Sequence, residues 1–355
     1  MKKQFKILLL LFIIPILASA NGEEFEFTKQ KNIKKAYYVN SDAGINIENS
    51  YGNIFVTTWE EDKIEIDVLI KVSGKSENWV NKRIDDIDVE IQALKNMVSA
   101  KTIIAQSDFY NNGNTNSFEI NYTIKIPKNG SIDLNNKYGD IISGNINNNS
   151  KIVCKYGKIT LGRLNGNNNF IELGYSKNST IEYLKTGTIE ARYSGLKITE
   201  VNKIILDTNY TDVFIGDAQN ISYDSNYGKL NFGKVNSLNA SGNYLTIQIG
   251  EIFNNLKLET NYSKINIDSI NENANNVSID AGYSNINIGY SSNYAFDFNV
   301  STKYGDFKHG SDLEIYNREE AKNSKQINGF YKKKGINNLT ISSRYGNITL
   351  IKNNN

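Results

Sequence analysis

Few side chains in this sequence could do chemistry. The 355 residues include one histidine, His309, and one cysteine, Cys154. A hydrolytic triad or a metal centre needs several reactive groups converging on one point. Neither residue has such companions nearby in the sequence. His309 stands five residues after Tyr304, where other repeats carry a core residue, and reads as a packed or edge histidine. Cys154 occupies a small inward position and reads as a packed thiol rather than a nucleophile. Acidic groups are the remaining route. Asp140, Asp212 and Asp306 fall two residues after a tyrosine, and Lys158, Lys177, Lys229 and Lys264 take that place in other copies. Stacked, they would form an exposed ladder of weakly attracting charges. The Gly-Gly-x-Gly-x-Asp nonapeptide of calcium-binding repeats does not occur. No catalytic, cofactor or metal residue is assigned, and the chain is expected not to be an enzyme.

Binding chemistry is better represented. Asn209, Asn226, Asn243 and Asn261 each stand immediately before a tyrosine and should point outward. Two readings remain open for this candidate ladder. The amides satisfy one another, or they flank exposed aromatic rings and form a sugar-binding strip.

These positions are set by a repeat. Tyr-Gly or Tyr-Ser, with an apolar residue three places after the tyrosine, recurs at Tyr138, Tyr156, Tyr193, Tyr227, Tyr262, Tyr283, Tyr304 and Tyr345. Tyr175, Tyr210 and Tyr244 mark degenerate copies between them. Successive tyrosines are 17 to 21 residues apart except across the last interval, which is about twice as long. Four residues before the tyrosine the chain is apolar, as at Leu134, Ile152, Ile171 and Ile189, and two before it the residue is usually small. After the tyrosine the apolar places change parity, as in Ile159 and Leu161 or Leu196 and Ile198. Period-two alternation on each side predicts two short strands, and the switch at Gly or Ser predicts a bend between them. One such unit cannot bury its apolar side alone. Stacked on its equivalents it forms a continuous core, at about 4.8 Å per step.

The segment before the repeats is strand-rich. Alternation predicts strands near 43–53, 55–58, 63–72, 89–91, 100–105 and 118–126, with a loop over 108–116. Ser76 is placed to cap a short helix whose apolar face holds Trp79, Val80, Ile84 and Ile87. Tyr51-Gly52-Asn53-Ile54 repeats the solenoid signature inside this region. The organisation expected is residues 1–20 as a secretory signal peptide, 21–129 as an α+β cap with one helix, and 130–355 as the repeat region. Residues 308–336, carrying Lys332-Lys333-Lys334, are expected to form an inserted loop or cap within it.

The signal-peptide reading rests on Lys2 and Lys3, the apolar run from Ile7 to Leu17, and Ala18-Ser19-Ala20 as a cleavage site. The mature chain then starts near Asn21, with no further segment apolar enough to span a membrane. The apolar run is too short for a spanning helix. Forty basic and 38 acidic residues nearly cancel, which argues against a nucleic-acid partner. A lone cysteine in an exported chain leaves stability to the apolar core rather than to disulfides.

The run from Tyr51 to Val68, the Ile126-Pro127-Lys128 step and the serial Tyr-Gly-x-Ile turns resemble a bacterial family of putative adhesins, similar to the head domains of autotransporter adhesins. The resemblance implies a right-handed parallel β-solenoid at the bacterial envelope and an adhesive or envelope-associated role, with no catalytic residues. The expected location is periplasmic, outer-surface or secreted, and the expected partner an envelope, glycan or protein ligand. Two rivals stand beside this. A carbohydrate-active β-helix enzyme would carry clustered Asp, Lys or Arg in a groove across neighbouring repeats. An envelope-stress or signalling component would bind a partner protein through residues 21–129.

Overall fold

A computed structural model describes residues 25–105 and 116–353. The signal-peptide segment and, apart from Asn116, the loop expected over 108–116 lie outside the described residues. The protein is mainly β: the described residues form twenty-four strands and one helix, the strands joined in a single mixed sheet that does not close into a barrel.

The two parities of the repeat become two parallel series of strands. Before the tyrosine, Ser150–Lys155 pairs in parallel with Ile132–Lys137 on one side and Asn169–Gly174 on the other, so that Ile152 faces both Leu134 and Ile171. After the tyrosine, Ile159–Leu164 pairs with Ile141–Ser143 and with the first part of Ser179–Arg192. Equivalent residues face equivalent residues, so each inward column is uniform and buried. Leu134, Ile152, Ile171, Ile189 and Leu206 form one such column, and Ile159, Ile181, Ile198 and Ile215 belong to the core beyond the bend. Where the column takes a large residue, Tyr223, its hydroxyl lies 2.6 Å from Thr208 Oγ1, which donates to Ser225 Oγ at 2.8 Å. The buried phenol is thus hydrogen-bonded, as burial of a polar tip requires. Burial pushes its pKa up to about 12, opposed by these hydrogen bonds.

The bend differs from the sequence expectation. The switch of parity was assigned to the Gly or Ser, but the left-handed residue is the tyrosine itself. All twelve tyrosines that mark the repeats, Tyr51 included, have φ between 50° and 61°. A bulky residue in that region is strained by on the order of 1 kcal/mol. Stacking contributes a similar amount per ring pair, so the column offsets the strain that creates it.

The residue after the tyrosine follows a pairing rule. A Cβ added to Gly157 would meet the Gly139 carbonyl oxygen at 2.0 Å, and one on Gly139 would meet that of Gly52 at 1.9 Å. In these turns the next backbone N–H is held by a side chain below: Asp140 N donates to Asn53 Oδ1 and Lys158 N to Asp140 Oδ1. Lys229, Asn347 and Asp306 donate in the same way to Asp212, Asn285 and Asn347. Where Ser or Thr replaces Gly, the hydroxyl takes over. Ser176 N donates to Ser194 Oγ and Ser194 N to Thr211 Oγ1, while each hydroxyl donates to the carbonyl two residues back. An Asn or Asp two after one tyrosine therefore goes with Gly after the neighbouring one. Asp140 and Asp212 thus do more than stand in an exposed ladder of weakly attracting charges. Their carboxylates are acceptors for backbone, and the Asp140–Lys158 ion pair is a loose 3.9 Å.

Toward the N-terminus the same arrangement continues: Gly44–Ser50 pairs with Ile132–Lys137, and Ile54–Trp59 with Ile141–Ser143. Beyond them the strands turn antiparallel. Ile87–Ala93 closes one series through Met97–Ile104, and Phe27–Tyr38 closes the other through Lys63–Gly74 and Asn116–Pro127. Helix Glu77–Asp85 starts at Ser76, whose side chain accepts from Trp79 N, and buries Val80 and Ile84. Phe27–Tyr38 has no counterpart in the sequence reading. Its exposed edge carries Lys29, Lys34 and Lys35, charges that discourage edge-to-edge pairing.

At the other end chain order and spatial order part. Asn338–Arg344 pairs in parallel with Asn276–Gly282 on one side and Phe296–Lys303 on the other. Ile348–Asn353 lies likewise between Asn285–Ser291 and Phe307–His309. The last repeat is thus inserted between two earlier ones. The interval expected as a loop or cap holds a hairpin, Glu314–Ala321 with Ser324–Tyr331, whose second strand runs antiparallel on Phe296–Lys303.

Candidate functional site: the tyrosine column

In-register stacking places the tyrosines in one file. From Tyr51 through Tyr138, Tyr156, Tyr175, Tyr193, Tyr210, Tyr227, Tyr244, Tyr262 and Tyr283, each ring stacks on the next at 4.6–5.0 Å, with interplanar angles of 21° or less. Tyr345 follows Tyr283 at 4.6 Å, and Tyr304 ends the file at 4.7 Å. Every one of these tyrosines is 41–54% exposed. At one end Tyr51 meets Phe118 in a tilted contact at 5.0 Å, and the Arg83 guanidinium lies 4.5 Å over the Phe118 ring. Lys137 Nζ lies 4.8 Å from the Tyr138 ring, and Lys303 Nζ 5.7 Å from Tyr304. Tyr51 was noted in the sequence as an isolated signature in the N-terminal segment; it is the first ring of the file.

The asparagines line the same file. Asn209 and Asn226 are register partners. Asn243 Nδ2 donates to Asn226 Oδ1 and Asn261 Nδ2 to Asn243 Oδ1, both at 3.1 Å. An amide has two N–H donors, and these bonds use one from each donor amide. Asn209 Oδ1 is buried without a hydrogen-bond partner.

A second row escaped the sequence reading. Three residues before the tyrosine stand Glu172, Glu190, Asp207 and Asp224, consecutive register partners, followed farther on by Glu259 and Asp280. Like charges directly opposite in a sheet repel. Lys155 to Glu172 at 2.8 Å and Arg192 to Asp207 at 2.9 Å relieve part of this row. The fixed offset from the tyrosine was the signal that could have found it.

The residues that could react are placed as follows. Cys154 is buried, and burial pushes its thiol up to about 12, so it stays protonated and unreactive near neutral pH. His309 lies half-buried in the short edge strand, its Nδ1 2.8 Å from the Gly310 carbonyl. Among the described residues no group of three or more His, Cys, Asp or Glu is arranged to hold a metal ion. Charged side chains from successive repeats, Glu200, Asp217 and Lys234, line a shallow depression beside Tyr183. There Arg163 lies 4.0 Å over the Tyr183 ring and reaches Glu200 at 4.0 Å. No helix among the described residues is long and apolar enough to cross a membrane.

No protein-family model matches the chain, and no curated protein does. Solved structures similar to it include a putative cell adhesion protein from Clostridium sporogenes, at 12% identity and a TM-score of 0.18, over 92% of this chain and 100% of that one. A putative adhesin from Bacteroides fragilis has 14% identity and a TM-score of 0.26, over 91% and 97% of the two chains. Another from Parabacteroides distasonis has 11% identity and a TM-score of 0.25, again over 91% and 97%. Likenesses this loose carry no argument about what the chain binds.

Proposed function

We propose that the chain is a non-enzymatic exported protein of the bacterial envelope or surface, adhesin-like, that binds through the face carrying the tyrosine column. On this reading the parallel stack is a right-handed β-solenoid. Residues 1–20 are its signal peptide, 21–129 cap its first turn, and the hairpin within 308–336 caps its last. The column carries the reading. With every one of its tyrosines 41–54% exposed, it presents on the order of 1,000 Å² of tyrosine surface. Exposed aromatic residues gathered into one contiguous strip, rather than scattered singly, mark an interaction site.

The test pairs location with binding. Protease added to intact producing cells is expected to remove the protein if it reaches the surface, or to spare it until the outer membrane is opened if it is periplasmic. The purified full chain is expected to be retained on an array of envelope glycans and proteins without releasing products from any of them. Retention on none, or release of shortened glycans, would contradict the proposal.

A further inference from the structure

The exposed part of the column has an unusual chemical character. Each inner ring is sandwiched between two others at 4.6–5.0 Å and nearly parallel to them. Both aromatic faces are therefore occupied. A sugar ring cannot lie flat on a tyrosine here, as it does on an isolated aromatic platform. What reaches solvent is the ring edge and the phenolic hydroxyl, repeated at the stacking interval. The strip is one ring wide and twelve rings long, on the order of 50 Å. A protein partner wants a broad, roughly round patch with a buried centre. A long strip one ring wide matches a linear polymer lying along it.

Charge narrows the class. In the central stretch the residues immediately before the tyrosines are the four uncharged amides Asn209, Asn226, Asn243 and Asn261. Cations take this place only toward the ends, at Lys137, Lys155 and Arg192 and again at Lys303 and Arg344. On that same side, two residues farther back, runs the row of carboxylates from Glu172 to Asp224, which would repel a polyanion. The centre offers hydroxyls, both donors and acceptors, beside amides that keep a donor in reserve.

From these observations we infer that the column from Tyr210 to Tyr262 binds a linear, uncharged polysaccharide laid parallel to the stack, held by hydrogen bonds to the phenolic hydroxyls and the asparagine amides and by contact with the ring edges. The inference rests on the binding-face reading above and names its ligand class. Successive sugars meet successive rings, so affinity depends on ligand length.

The experiment uses the full chain and three soluble uncharged polymers, hydroxyethyl cellulose, glucomannan and dextran, in affinity electrophoresis. Calorimetry with oligosaccharides of the retained polymer follows. A variant carrying Tyr210→Phe, Tyr227→Phe and Tyr244→Phe keeps the rings and the stack but removes three hydroxyls. Its thermal midpoint should match the parent, which separates lost contacts from lost folding. Affinity should fall about tenfold or more, as the loss of several modest hydrogen bonds implies. A hexasaccharide should bind at least tenfold tighter than a disaccharide. Binding that the triple variant leaves unchanged would overturn this assignment while leaving the broader binding reading intact. So would retention only of polyanions, or a parent dimer that the triple variant dissolves, since a second copy would then be the occupant. Retention of no polymer together with no ligand on the envelope array would end both readings.

Discussion

A chain ending at Asn337 is expected to lose the packing of everything from Phe296 onward while the stack up to Asn261 stays folded. Among the described residues, strands Asn338–Arg344 and Ile348–Asn353 carry the sheet pairing between the repeats at Tyr283 and Tyr304, because they pair with both. Leu339, Ile341, Ile348 and Leu350 are buried. Burial of such side chains stabilises by about 1.5–3 kcal/mol each, so on the order of 8 kcal/mol is removed with them. The loss is local, because in a repeat architecture each unit depends chiefly on its neighbours. Hydrogen exchange should show protection lost across 296–331 and kept across 132–261. If protection across 296–303 were unchanged by the truncation, that strand would not be pairing with 338–344, and the inserted order would be wrong.

The second large effect is at the turns. In Gly157→Val the new side chain would meet the carbonyl oxygen of Gly139 at 2.0 Å and its carbon at 2.6 Å. Backbone cannot move aside as a flexible side chain would, so the expected cost is about 3 kcal/mol or more. Gly157→Ser should cost less, because Ser or Thr is native at the equivalent place in Ser176, Ser194, Thr211, Ser263 and Ser284. Those turns follow repeats without Asn or Asp two after the tyrosine. Adding Asp140→Lys should therefore rescue part of the Gly157→Ser loss, since the new hydroxyl could join the row that begins at Ser176. A double-mutant cycle by urea unfolding should give a coupling of about 1 kcal/mol. Strict additivity would mean that the two turn chemistries are independent.

The sequence disclosed the repeat and its inward positions because both strands alternate cleanly, and burial follows that alternation from Leu134 to Ile341. Helix Glu77–Asp85 was readable from Ser76 and its apolar spacing for the same reason. Strand Phe27–Tyr38 was not: FTKQKNIKKAYY is polar on both sides, since an edge strand has little to bury. The left-handed tyrosines were hidden because propensity disfavours that backbone region for a large side chain, and only stacking makes it tolerable. The swapped order of the last repeats was hidden because the turn rule does not distinguish them. Asn285 can precede either Gly305 or Gly346, and both tyrosines fit the file. At the candidate site the asparagines were legible from their place before the tyrosine. What sequence could not supply was the occlusion of the ring faces, which decides the kind of ligand the column can take.

Everything depends on repeats lying in register, with the final one between its two predecessors. Disulfide trapping reads this directly. Ser278 faces Thr340, and Thr340 faces Asn299, as outward register partners. In a Cys154→Ala background, the pairs Ser278→Cys with Thr340→Cys, and Thr340→Cys with Asn299→Cys, should form disulfides under mild oxidation. Ser278→Cys with Asn299→Cys should not, because two sheet steps of about 4.8 Å exceed the roughly 7 Å limit for bridging. A ready bridge between positions 278 and 299, with none to 340, would contradict the inserted order, and failure of all three pairs to bridge would contradict the in-register stack and the column built on it.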